Sequence, residues 1–402
     1  MPVTGSTPPD PVFVPCSGES WRDPFPMYAA LRDRDPVHHV EGADYWVLSR
    51  YDDVFAAARD PERFSSAQGL TFSYDDMTRA GLDEVRPIVM LDPPEHTEFR
   101  RMVSKGFTPR QVETLEPEVR TFVVERIERL RAEGGGDVIA ELFKPLPSLV
   151  VAHYLGVPLE DRSRFDRWTQ GIVAATSQGD PTSAADAVAE LSTYFSDLVA
   201  RRRADNEFGD DTISQLACTD ADEVSTLQIL GFAFTMVTGG NDTTTGLLGG
   251  ASELLTERLD QRARLLDDPA TIRMAVEEFL RLTSPVQGLA RMTTEDVAID
   301  GTEIPAGKKV MLLYGAANRD PRRFGDDAEE LDVGRDPRPI LSFGYGNHHC
   351  LGAAAARLQA RIALEELLAR CPRFAVDTGR GVFAPGHFVR RYESLPFDPE
   401  GL

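Results

Sequence analysis

Phe343-Gly344-Tyr345-Gly346-Asn347-His348-His349-Cys350-Leu351-Gly352 runs directly into an Ala- and Leu-rich segment with helical spacing. That order places Cys350 at a helix N-terminus. Unpaired amides and the positive end of the helix dipole favour a sulfur anion there, and predict a thiol pKa lowered from about 8.5 towards roughly 3.5 to 7.5. A thiolate so stabilised can act as a nucleophile or as a metal ligand. Adjacent His348, His349 and Cys350 suit a single zinc ion poorly, and Cys16, Cys218 and Cys371 lie far off at unhelpful spacings. A Cys-His hydrolase would need a catalytic signature that is not found nearby.

Working outward, the chain of 402 residues is 42% hydrophobic and 27% charged, the composition of a folded globular protein. A formal net charge of −22 argues against nucleic acid as a partner, because phosphate binding needs clustered positive charge. Leu227 to Val237 is the most apolar stretch and is about half of what a bilayer span requires, so no membrane anchor is expected. Residues 1–20 read as a poorly ordered lead-in with neither a basic segment nor an apolar one behind it, and a cytoplasmic protein with reduced thiols is expected.

The periodicity predicts a mainly α fold with small β-sheets, organised as one domain over residues 1–402. Short strands are expected near His38 and at Tyr45 to Leu48, and a helix from Tyr51 to Arg59. An irregular loop should follow from Phe64 to Met90, then a nearly all-helical middle from Glu95 to Leu216 that includes Thr182 to Ala204. A helix from about Val224 to Leu259 would be roughly 50 Å long at 1.5 Å per residue. Thr294 to Leu313 reads as a hairpin turning at Asp300-Gly301.

Three further constellations stand out. Gly239-Gly240-Asn241-Asp242-Thr243-Thr244-Thr245-Gly246 is poor helix sequence inside the long helix, and predicts either a distorted turn that opens a groove or tight packing through small residues. Glu278 and Arg281 stand three apart on one helix and can form an ion pair. His96 and Arg100 stand four apart, both suited to an anionic carboxylate or phosphate.

In this order the four constellations resemble the cytochrome P450 haem-thiolate monooxygenases, specifically the soluble bacterial class of actinobacterial type, over nearly the whole chain. The motif Phe-x-x-Gly-x-His-x-Cys-x-Gly is matched by Phe343, Gly346, His348, Cys350 and Gly352. The resemblance implies a single triangular haem domain carrying haem b (iron protoporphyrin IX), with Cys350 as the axial ligand of the iron and Phe343 beside the sulfur. Gly346 and Gly352 would let the backbone approach the porphyrin, and His96, Arg100, Arg291 and His348 would hold the haem propionates. Glu278, Arg281 and Arg335 would lock the core behind the haem, and Asp242 and Thr243 would deliver protons to bound oxygen.

Gly239 stands where the family often has Ala, which implies more room over the haem face. Phe232, Phe234, Gly239, Val286, Leu289 and Phe383, with the loop from Ser66 to Met90, are the pocket positions that follow. A small lipophilic substrate and dioxygen would be the reactants, in a hydroxylation or oxidative dealkylation. The chain has no fused redox segment, so a ferredoxin and its reductase would bring electrons from NAD(P)H, docking at Arg100, Arg101, Lys105, Arg357 and Arg361. A haem protein limited to ligand binding or peroxide chemistry is the alternative, and intact Asp242 and Thr243 argue against it.

Overall fold

The computed structural model describes residues 11–74, 86–178, 184–219 and 224–401. The expectations for residues 1–10, for 75–85 of the irregular loop and for the first residues of the Thr182 helix fall outside these. Residues 11–20, expected to be poorly ordered, are instead anchored by buried Phe13 and Cys16 and run into a short helix at Gly18–Trp21. Helices of eight residues or more are, in chain order, α1 Phe25–Arg34, α2 Tyr51–Ala58, α3 Glu95–Val103, α4 Glu116–Ala132, α5 Pro145–Tyr154 and α6 Arg162–Gln178. They continue as α7 Ala185–Asp205, α8 Thr226–Glu257, α9 Leu259–Asp267, α10 Ile272–Thr283 and α11 Ala353–Arg370.

Strands β1 Val37–Val40, β2 Tyr45–Leu48, β3 Phe64–Ser65, β4 Gly136–Asp137 and β5 Leu289–Thr293 come first. They are followed by β6 Val297–Ile299, β7 Thr302–Ile304, β8 Lys309–Leu312, β9 Ala375–Val376, β10 Val382–Phe383, β11 Tyr392–Ser394 and β12 Pro396–Asp398. The fold is mainly α with small sheets.

The largest sheet has the order β1-β2-β8-β5-β3, with β2 and β8 parallel and the other pairs antiparallel. Alternate residues of β2 and β8 face two separate cores. Leu48, Val310 and Leu312 enter one, and Tyr45, Val47 and Met311 enter the other. This two-sided burial explains the continuous apolar run of β8, which alternation alone would not produce.

The hairpin expected over Thr294 to Leu313 is smaller than predicted. Its two strands are β6 and β7, joined through Asp300 (φ 48°) and Gly301 (φ 79°), the left-handed pair that a tight two-residue turn needs. Pro305-Ala306-Gly307 then ends the pairing, and β8 crosses into the large sheet instead.

Helix α8 runs through the largest core, packing on α5, α6, α10 and α11. Ser225 caps it, accepting from the Gln228 amide while the Gln228 side chain reaches back to the Ser225 amide. The expected distortion at residues 239–246 is absent, and the helix is unbroken from Thr226 to Glu257. Its hydroxyls satisfy carbonyls one turn back: Thr238, Thr243 and Thr245 bond Phe234, Gly239 and Asn241.

Candidate functional site

The cysteine loop is a tight structure in its own right. The Cys350 amide donates to the Phe343 carbonyl at 2.9 Å, and Gly344 (φ 63°) and Gly346 (φ 70°) make the turn between them. A Cβ at Gly346 would also meet the Ala58 carbonyl at 2.6 Å, so the close approach that requires glycine is to the end of α2. Gly352 is the N-cap residue of α11, and its amide hydrogen-bonds the Cys350 sulfur.

Cys350 is exposed, and α11 begins three residues past it, beyond the reach of most of the helix dipole. Desolvation by the loop packed around it opposes its thiolate, which the Gly352 amide and the charges of Arg100 and Arg357 favour.

Beside this loop, α3 contributes His96 and Arg100. His96 is buried, its ring 4.2 Å from that of His348. Among the described residues, neither ring nitrogen of His96, nor Nε2 of His348, has a hydrogen-bond partner. Burial first, then the nearby charges of Arg291, His96 and Arg100, depress the His348 pKa to about 3. Arg291, on β5, is buried and donates to the Ala290 carbonyl, and Arg100 donates to the His349 carbonyl at 2.6 Å. Neither guanidinium has a carboxylate partner among the described residues.

Buried polar atoms without partners are expensive, so this cluster has the donor set for an anionic group with two carboxylates, as the haem propionates are. Among the described residues, no group of three or more His, Cys, Asp and Glu side chains is placed to hold a metal ion by itself.

On α8, Gly239 is exposed and a Cβ there would meet nothing within 4 Å. The groove on this helix therefore comes from a missing side chain on an intact helix. Half-buried Thr243 shares that surface, its Oγ1 donating to the Gly239 carbonyl at 3.0 Å. Asp242 is buried, with Oδ1 2.8 Å from Arg391 Nε. Sequence reasoning missed Arg391. The signal available was the adjacent pair Arg390-Arg391, set between Phe388-Val389 and Tyr392 in a strongly acidic chain.

Two pocket positions need correction. Phe232 is 1% exposed and packs against Phe99 in the main core. Phe383 is also buried, stacked on Tyr392 with Arg22 and Arg390 over its ring. In each case strand or helix periodicity turns the aromatic inward. Phe234, Val286 and Leu289 are half-buried, and Val286 bridges to Val389.

Glu278 and Arg281 are fully buried in a two-bond fork, both contacts at 2.8 Å. Arg281 also donates to the carbonyls of Asn318 and Ala328, and Arg335 reaches Glu278 at 3.2 Å.

The basic patch read from the sequence is reduced in the structure. Arg357 forms a fork with Glu277, and Arg361 pairs with Glu116 and Glu365, which cancels most of their charge at the surface. Arg101 and Lys105 remain exposed.

A cytochrome P450 family model matches residues 266–381. The chain is 61% identical over 395 residues to cytochrome P450 130 of Mycobacterium tuberculosis, covering 96% of this chain and 97% of that protein. It is 38% identical to cytochrome P450 monooxygenase PikC of Streptomyces venezuelae, covering 93% and 90%. The solved structure of the bacillaene polyketide synthase cytochrome P450 PksS of Bacillus subtilis matches with a TM-score of 0.86 at 32% identity, covering 96% of this chain and 99% of that one. On the fold, the cysteine loop and this full-length likeness, the chain belongs to the cytochrome P450 family of oxygen-incorporating oxidoreductases, whose cofactor is haem b.

Proposed function

We propose that this chain is a haem-thiolate monooxygenase that inserts one atom of dioxygen into a small lipophilic molecule, by hydroxylation or oxidative dealkylation. The observation that carries the reading is the convergence beside Cys350 of His96, His348, Arg100 and Arg291, with buried ring nitrogens left unpartnered and guanidinium groups unmatched by carboxylate among the described residues. Such a cluster gains most from a bound dicarboxylate that also presents a metal to the sulfur.

When bound, the haem supplies dioxygen activation and oxygen-atom transfer. Cys350 would hold the iron through its sulfur, and His96, His348, Arg100 and Arg291 would hold the propionates. Phe343 and the loop glycines fix the sulfur. On α8, the Thr243 hydroxyl, its proton held by the Gly239 carbonyl, would lie beside the open surface at Gly239, and the Asp242 carboxylate, paired with Arg391, would relay protons to it. The apolar neighbours Phe234, Val286 and Leu289 exclude water and orient the substrate.

Electrons come from NAD(P)H through a ferredoxin reductase and a ferredoxin, which meets the cysteine side of the molecule at Arg101 and Lys105. The protein is read as cytoplasmic; among the described residues no helix is long and apolar enough to cross a membrane. The test is a lipophilic ligand screen read by the change in iron spin state. Turnover of the best ligand with a surrogate ferredoxin system under isotopically labelled dioxygen should follow, with one labelled oxygen expected in the product. A product that carries no label, with the label only in water or peroxide, would overturn the reading.

A further inference from the structure

Glu277, Arg357 and Phe343 form a column against the cysteine loop. Arg357 lies in the second turn of α11, seven residues past Cys350. Its guanidinium sits 4.6 Å from the centre of the Phe343 ring, and the Phe343 carbonyl receives the Cys350 amide. Behind it, nearly buried Glu277 of α10 accepts from Arg357 Nε at 2.5 Å and from Nη2 at 3.1 Å. The adjacent Glu278 turns to Arg281 and Arg335 instead, so one helical turn of α10 anchors both ion pairs.

A forked guanidinium–carboxylate pair pins the position of the cation, and stacking on an aromatic face pins it further. Arg357 is thus a fixed charge against the loop that carries the sulfur, over the residue whose carbonyl receives the Cys350 amide. Arg357 and Arg100 differ in one respect: Arg357 has a carboxylate on it, and Arg100 has none among the described residues.

We propose that Arg357 and Glu277 are positioning residues that set the electron affinity of the Cys350-ligated iron, Arg357 raising it and Glu277 tempering that rise. This rests on the reading of Cys350 as the haem ligand. One-electron reduction from ferric to ferrous adds one negative charge to the iron–sulfur unit without adding a proton. A fixed cation nearby favours the reduced form, and a carboxylate bonded to that cation cancels much of its field. About a third of the Arg357 side chain is exposed, so solvent screens the effect to a modest size.

The experiment is a redox titration of the substrate-free haem-loaded protein with a chemical reductant and mediator dyes, compared across wild type, Glu277→Gln, Arg357→Gln and the double variant. Glu277→Gln should shift the ferric–ferrous equilibrium several-fold towards ferrous, and Arg357→Gln several-fold towards ferric. The double variant should lie between them, and Glu277→Asp should return towards wild type. Mere loosening of the loop would move both single variants in the same direction. Shifts of the same sign, or none, in proteins that keep the red-shifted thiolate-type band with carbon monoxide would overturn the proposal. Absence of that band from the wild type would instead overturn the ligand assignment beneath it. Should either single variant fail to retain haem, Arg357→Lys, which keeps the charge without the fork, carries the same test with a near-wild-type equilibrium expected.

Discussion

Asp242 Oδ1 lies 2.8 Å from Arg391 Nε, joining the central helix to the C-terminal strands through a buried ion pair. The close approach has a cause one turn along α8. A Cβ at Gly246 would come within 2.6 Å of the Arg390 carbonyl and 3.4 Å of Arg391 Cβ, so only glycine lets the strand lie this near. Arg391 also reaches Glu393 at 2.5 Å. Burial works against its charge, but Asp242 and Glu393 outweigh that and hold its pKa above the ordinary value.

Arg391→Gln should therefore destabilise the protein by about 3 kcal/mol, because it leaves a buried carboxylate without its guanidinium. Asp242→Asn together with Arg391→Gln should cost clearly less than the sum of the two single changes. Denaturant melts of the four proteins measure this, and additive losses would show that the pair is not coupled.

The glycines of the central helix should divide by their surroundings. Gly239→Ala meets nothing within 4 Å and gains helix propensity, so it should raise stability by up to about 1 kcal/mol. Gly246→Ala drives a methyl into the Arg390 carbonyl and should lower it despite the same propensity gain. Thermal melts of the two variants in parallel should move in opposite directions.

The Glu278 network should show a gradient. Glu278→Gln leaves the fully buried Arg281 without its charged partner, and should cost about 3 to 5 kcal/mol and much of the haem-loaded yield. Arg335→Gln removes a longer contact of 3.2 Å from a side chain that is partly exposed, and should cost less than half as much. Soluble yield and denaturation midpoints rank the two.

Burial raises the Cys371 thiol to about 11, against about 8.5 for an unfolded cysteine. A group whose folded pKa lies above its unfolded one contributes stability below the unfolded value and loses it as pH rises through the folded one. Stability should thus fall between about pH 8.5 and 11, by up to about 3 kcal/mol from this residue. Cys371→Ala should flatten that part of the stability–pH curve; an unchanged slope would exclude the residue as its source.

Local pattern made most of the fold legible. The helical periodicity from about Val224 announced α8, and the apolar spacing after Cys350 announced α11. What stayed hidden were pairings across long sequence distances. The insertion of β8 between β2 and β5 depends on pairing Tyr45 of β2 with Lys309 of β8, strands from opposite ends of the chain. The same holds for Arg391 on Asp242, and for Glu277 under Arg357, which converted a supposed docking cation into a paired one. Asp242 and Thr243 could be read from their motif, but the small residues around them left a distorted turn and tight packing both open, and the structure shows the packing. A sequence of small residues looks the same whether it bends a helix or merely leaves space on it.

Every role proposed above depends on Cys350 binding the haem iron through its sulfur. The absorption spectrum of the dithionite-reduced, carbon monoxide-bound protein tests it most directly, compared with that of Cys350→His. The wild type should give the red-shifted thiolate-type Soret band, and Cys350→His a band at the shorter wavelength of imidazole-ligated haem. A wild-type protein that lacks the red-shifted band, or a variant that keeps it, would contradict the account.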